Sequence, residues 1–293
     1  MMITGKIGVT NYEKLEKRYA KFTGSLYCVA VSSGTAALHL SLVALGIGKG
    51  DEVIVPDFTM AACGFAVTYT GATPVFVDCG DDLNIAVDLI EAKITAKTKA
   101  IMPVHIYGRL CNMKRIKKIA DKHGLKIIED ACEAQGAVFD SIADVTCYSF
   151  YANKIISAEE GGAITTDDEE LKDTIKDLKN MSFGKRHDYF HNKIGFNYRM
   201  PESQAKLALK SLRRVGRELR RRRRVERDYD RMTPSKDKMP FRNVVWVYDT
   251  LSPLKGKDTR PFFKPLSSFP MYGGKCQSPK AEYYSRVGHY YKV

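Results

Sequence analysis

The chain has 293 residues, 44% hydrophobic and 28% charged, the balance of a folded globular protein; wholesale disorder and a short peptide-like binder are both excluded. Its longest apolar stretches are strand-length, well below the ~18 uninterrupted apolar residues of a membrane span. The net charge of +13 is local: residues 213 to 293 hold 21 basic and 8 acidic side chains, while residues 1 to 212 hold 26 of each.

The first ten residues carry one Lys and neither an apolar h-region nor a small-residue cleavage site, so the protein is expected to be cytoplasmic. From Tyr27 the chain alternates β-branched runs with amphipathic stretches. Cys28 to Val31 predicts a strand and Thr35 to Leu45 a helix; Val53 to Val55 is followed by Thr59 to Tyr69, and Thr73 to Val77 by Val87 to Ile94. Ala100 to Val104 precedes a helix over Met113 to His123, and Leu125 to Ile128, Val145 to Phe150 and Gly162 to Thr166 predict three further strands. Strands separated by helices of this length give an α/β fold with a largely parallel sheet covered by helices on both faces. Gly46, Gly50, Gly71 and Gly124 stand where helix C-caps are expected. After Pro201 one long helical pattern runs to about Met232, and the remainder is richer in Pro, Lys and aromatics, with strands expected over Val244 to Tyr248 and Arg260 to Phe263. The expected organisation is a large domain over residues 1–200, a connecting helix over 201–231 and a small C-terminal α+β domain over 232–293.

Seven cysteines, odd in number and never spaced C-x-x-C, suggest neither a disulfide framework nor a zinc ribbon; reduced, mostly buried thiols are expected, and no metal site. Three motifs carry chemistry. Ser32-Ser33-Gly34-Thr35-Ala36 follows a strand and opens a helix, a junction whose free N–H groups can hold an anion. Ile127-Ile128-Glu129-Asp130-Ala131-Cys132-Glu133 delivers carboxylates to the carboxyl end of the sheet, where α/β folds bind ligands; Asp130 can be a helix cap there or the partner of a ring nitrogen. Cys147 to Lys154 is a strand ending in a lone Lys, the first basic residue after Lys126, within a stretch of small, apolar and acidic residues that favours a positioned amine.

These segments, quoted as SSGTAALHLSLVALGIGKGDEVIVPDFT, KAIMPVHIYG, KIIEDACEAQGA, YSFYANK, EEGGAITT, IGFNYRMPESQA and DTRPFFKPL, resemble the DegT/DnrJ/EryC1/StrS family of pyridoxal-phosphate sugar aminotransferases, a branch of the fold-type I superfamily. Within it the resemblance is greatest to the GDP-perosamine synthase subgroup. It implies pyridoxal 5'-phosphate as cofactor, Lys154 as the lysine that bonds to it and shuttles the proton, and Asp130 as partner of the pyridine nitrogen. It also implies Glu133 near the 3-hydroxyl, with Thr35, Ala36 and Ser149 at the phosphate. Met60 stands where the family usually has an aromatic on the cofactor ring, with Phe58 two residues earlier. Asn197 matches a residue reaching the phosphate from a neighbouring subunit, so a homodimer with shared sites is implied. The implied reaction moves the amino group of L-glutamate onto the keto carbon of a nucleotide-linked keto-deoxy sugar.

Two departures from the family pattern are visible. Glu159 replaces the first Gly of Gly-Glu-Gly-Gly, which predicts local strain or altered substrate access. Only Leu254 to Lys257 lies where the family has a helix, and the chain ends at Val293, so an incomplete small domain is expected. That motivates one alternative, a chain that folds and dimerises without turnover. A second alternative is nucleic-acid binding by the nine arginines and two glutamates between Arg213 and Arg227, which can neutralise phosphates. The absence of interleaved aromatics and the spread of consecutive arginines around a helix favour a solvated helix instead.

Overall fold

The computed structural model describes residues 10–138, 142–183 and 189–293. The chain begins with α1 (Asn11–Thr23), β1 (Tyr27–Val31), α2 (Gly34–Ala44), β2 (Glu52–Pro56), α3 (Ala61–Tyr69) and β3 (Thr73–Val77). It continues through β4 (Thr98–Ile101), α4 (Met113–His123), β5 (Lys126–Asp130), β6 (Val145–Ser149), β7 (Gly162–Thr166) and α5 (Glu169–Lys179). These strands form one seven-stranded sheet of order β1-β7-β6-β5-β4-β2-β3. Pairings from β3 through β2, β4 and β5 to β6 are parallel, whereas β7 runs antiparallel to both β6 and β1.

That reversal matters for the site. An antiparallel β6–β7 pair returns the chain without crossing the sheet, so residues 150–161 stay at the carboxyl end of β6, beside the ends of β1 and β5. Side chains alternate between faces with period two. Val29 and Val31 of β1 enter the largest apolar cluster with Val53 and Val55 of β2, while Cys28 and Ala30 join Leu15 and Tyr19 of α1 on the other face. Ile54 faces a third cluster, shared with Ile101, Ile127 and α4 residue Ile116. Gly46, Gly71 and Gly124 follow helix ends with φ of 76°, 82° and 64°, the left-handed conformation that closes a helix. Gly50 also has positive φ but sits in the turn before β2.

The helical pattern after Pro201 is broken. It forms α6 (Glu202–Leu212) and α7 (Val215–Met232), separated at Arg213 and Arg214, where ψ rises to −21° and −2°. Arg214 N–H then bonds Ser211 O at 2.8 Å and Arg217 N–H bonds Arg214 O at 3.0 Å, a tighter i→i+3 turn that redirects the axis. Val87 to Ile94 is likewise two short 3₁₀ turns, Val87–Leu89 and Glu91–Lys93, in place of an amphipathic helix. The C-terminal strands are β8 (Val247–Thr250), β9 (Arg260–Pro261) and β10 (His289–Lys292), with α8 (Pro279–Val287) before the last. They form a three-stranded antiparallel sheet of order β8-β10-β9. The segment between β8 and β9 holds no helix, while α8 and β10 lie beyond the predicted elements. Val244, Trp246, Phe262 and Tyr284 belong to the same apolar cluster as β1 and β2, so this region is packed onto the large sheet.

The arginine run is not uniformly solvated. Arg222 is 7% exposed and donates from Nη1 to Trp246 O at 2.6 Å, and Arg223 donates to the carbonyls of Arg242 and Asn243. Next to them, Asp249 is fully buried between Arg109 and Arg242, and Arg242 also reaches Glu226 of α7 at 3.2 Å. No helix among the described residues is long and apolar enough to cross a membrane. Five cysteines are buried and two half-buried, all as free thiols.

Candidate active site

A cleft of about 370 Å³ opens at the carboxyl ends of β1, β5 and β6. Thr35, Met60, Asp130, Glu133, Ser149 and Lys154 all line it, so residues up to 119 positions apart in the chain share one wall. Two do not. Ala36 is buried one step along α2, its N–H donating to Ser33 Oγ at 3.0 Å. Asn197 is exposed on a segment bridged to Asn180 and lines no part of this cleft among the described residues.

Ser33 caps α2 in extended conformation, so the first-turn N–H groups and the positive helix end face the cleft. The turn is tightly seated: a Cβ on Gly34 would lie 2.8 Å from Ser149 Cβ and 3.2 Å from Cys132 Sγ. Gly162 is just as constrained, since a Cβ there would sit 2.5 Å from Ser33 O. No side chain can fill this corner, which leaves helix N–H groups, the Thr35 hydroxyl and Ser149 around a small concavity suited to a phosphate.

Asp130 ends β5 and is 5% exposed. Its Oδ1 accepts from Cys132 N–H at 2.9 Å and its Oδ2 from the Cys63 thiol at 3.2 Å. Both bonds fix the carboxylate in the cleft wall, and burial together with Asp130 pushes the Cys63 thiol well up, keeping it a donor. Glu133 Oε2 accepts from Tyr107 N–H at 2.9 Å, and its Oε1 lies 3.8 Å from Lys154 Nζ. Burial raises the Glu133 carboxyl to about 7 against the opposing pull of Lys154 and the Tyr107 N–H. A carboxyl that keeps its proton longer in the folded chain than in the unfolded one favours folding most below its ordinary range near 4.5. That advantage is lost as pH rises through about 7. Stability of the cofactor-free chain is therefore expected to fall across this window, and Glu133→Gln to lose that slope in denaturant titrations at stepped pH.

Lys154 stands in the connection after β6. Gln135 braces it from below, donating to Ser149 O at 2.9 Å and accepting from Ile156 N–H at 2.8 Å. At the far end of this connection Glu159 has φ +65°, so the strain expected from the lost glycine is present. The conformation costs a β-carbon residue about 1 kcal/mol. Glu159→Gly is expected to stabilise the chain by roughly that amount, read as a raised denaturant midpoint at unchanged slope.

Sequence reasoning missed the opposite wall. Trp246 and Tyr290 line the cleft together with Arg260 and Phe263. The signal available was that Trp246 is the chain's single tryptophan. The residues fit pyridoxal phosphate: an amine, a buried carboxylate held by two donors, and a side-chain-free helix end are present in one cleft of suitable size.

A profile for the DegT/DnrJ/EryC1/StrS aminotransferase family matches residues 5–241. The chain is 40% identical over 288 residues to a GDP-perosamine synthase of Caulobacter vibrioides, covering 88% of this chain and 78% of that protein. Its fold is similar to that of DesV from S. venezuelae, solved in complex with a ketimine intermediate, with TM-score 0.89, 30% identity and coverage of 97% and 84%. It is also similar to an NtdA structure from Bacillus subtilis with bound cofactor PMP, with TM-score 0.88, 28% identity and coverage of 97% and 73%.

Proposed function

The chain belongs to the DegT/DnrJ/EryC1/StrS aminotransferase family, as a pyridoxal-phosphate-dependent sugar-nucleotide aminotransferase, and from that premise we propose that it transfers the amino group of L-glutamate to a GDP-linked keto-deoxy sugar. The observation that carries the proposal is the meeting of Lys154, Asp130 and Glu133 in one cleft beside the start of α2. The 40% identity to a GDP-perosamine synthase supports the nucleotide and sugar class.

When bound, pyridoxal phosphate supplies an electron sink for the carbon that loses or gains a proton. Lys154 Nζ would be the amine that holds the group and, when free, the base that takes up a proton and returns it. The Asp130 carboxylate, held by Cys63 and the Cys132 N–H, would pair with the ring nitrogen and favour its protonated form. Glu133 would serve the 3-hydroxyl, Met60 would pack on the ring, and Thr35 and Ser149 with the α2 N-terminus would hold the phosphate. Ala36 contributes through the Ser33 cap that its N–H completes. In the proposed homodimer, Asn197 reaches the phosphate of the partner's site, consistent with its exposure and its absence from its own cleft. Residues 1–200, 201–231 and 232–293 serve as cofactor domain, connector and small domain.

The test is a screen of nucleotide-linked keto-deoxy sugars with L-glutamate, followed by 2-oxoglutarate release and mass change of the sugar nucleotide. Amination of a GDP-linked ketone is expected. Amination of only UDP- or dTDP-linked sugars would move the substrate assignment, and an inactive chain that still binds cofactor would favour the non-catalytic alternative.

A further inference from the structure

The Lys154 amine has a second neighbour that its proposed chemistry does not use. Its Nζ lies 3.8 Å from the centroid of the Trp246 ring, and a carboxylate oxygen of Glu133 stands at the same distance. An ammonium over an indole face is attracted by the ring's negative π surface, most strongly where water is scarce. Here the Lys154 side chain is 11% exposed and Trp246 5% exposed.

Trp246 is held at both its indole and its backbone. Its Nε1–H donates to Asn153 O at 3.0 Å, the carbonyl next to Lys154, so the ring is tied to the backbone that carries the amine. At the backbone, Arg222 Nη1 donates to Trp246 O at 2.6 Å, while Arg222 Nε is held by Glu218 at 2.7 Å. An arginine of the basic run is thereby connected to the active lysine through one tryptophan.

We propose that Trp246 is a positioning residue whose indole face is the holding site of the Lys154 ammonium whenever that amine is not bonded to the cofactor, with Arg222 fixing the indole's backbone. The contact keeps a long, flexible side chain beside Asn153 and Glu133 in place of the rotamers it would otherwise sample in the open cleft. The inference rests on the assignment of Lys154 and needs no knowledge of the sugar substrate.

Two measurements on the full chain without added cofactor test it. The first reads the emission of Trp246, the only tryptophan. An ammonium at the ring face quenches indole by giving a proton to the excited ring, so Lys154→Met is expected to be brighter than wild type. Equal emission overturns the proposal. The second reads acylation of Lys154 by a small anhydride, with peptide mass spectrometry and exposed Lys255 as internal reference. Trp246→Leu is expected to speed this reaction roughly five- to thirtyfold, because the held ammonium must be released before it reacts. Trp246→Phe, which retains an aromatic face, is expected to stay near wild type. Equal rates in the Leu and Phe variants overturn the proposal, since a merely space-filling indole would not distinguish them. One measurement leaves Trp246 in place and the other leaves Lys154, so a folding failure in one variant does not remove the other test. Loss of transamination with both results intact would count against the functional assignment alone.

Discussion

Lys154→Ala is expected to abolish turnover. The fall should be at least the ~10²- to 10⁴-fold that a positioned proton-transfer group supplies, compounded by loss of the covalent link to the cofactor. Among the described residues no other lysine lines the cleft, so none of them can replace it. The measurement pairs product formation with borohydride reduction: wild type should retain a reduced, covalently attached cofactor on the peptide containing Lys154, and the variant none. Labelling at a different lysine, or turnover at the wild-type rate, would remove Lys154 from the mechanism.

The largest expected effect on stability comes from Asp249→Asn. This carboxylate is fully buried between Arg109 and Arg242, themselves 2% and 3% exposed. Arg109 Nη2 approaches it at 2.8 Å, and Arg242 brings in Glu226 of α7. Neutralising the central acid leaves two guanidinium groups facing each other out of water, which costs about 3–5 kcal/mol, a large part of the ~5–15 kcal/mol that holds an ordinary domain. A fall of that size in urea unfolding free energy is expected. A change under 1 kcal/mol would mean that the network is solvated in solution.

The central elements were legible because their signals are local. Helix α4 and strand β7 match their predicted bounds, since Asn112 and Gly124 mark the helix ends and Gly162 begins the strand. Ser33 capping α2 could be read from five residues. The carboxylates of Asp130 and Glu133 could be placed at the sheet edge because an apolar strand leads directly into them. The division of α6 from α7 could not be read, because the apolar spacing of Leu209, Leu212, Val215 and Leu219 continues across the turn at Arg213 and Arg214. Helix α8 carries a sequence signal in Ser278-Pro279, a serine at the N-cap position followed by proline in the first turn. The rarity of Trp246 marks it in the sequence, but its place does not follow from local reasoning: its bond to Asn153 spans 93 residues, and only the packed structure brings that contact together. The inward turn of Arg222 and Arg223 was hidden for the same reason, since consecutive arginines look alike until a carbonyl partner selects among them.

The far wall of the cleft is supplied by Trp246, Arg260, Phe263 and Tyr290, all from the region that packs onto the large sheet through one continuous apolar cluster. A wall assembled this way cannot open by itself. Native-state hydrogen exchange should therefore find the amides of β8 and β10 opening in the same cooperative unit as those at the carboxyl end of β6. Mild denaturant should release bound cofactor and loosen the C-terminal strands as a single event, with no stable intermediate in which the large sheet keeps its cofactor after the last fifty residues have frayed.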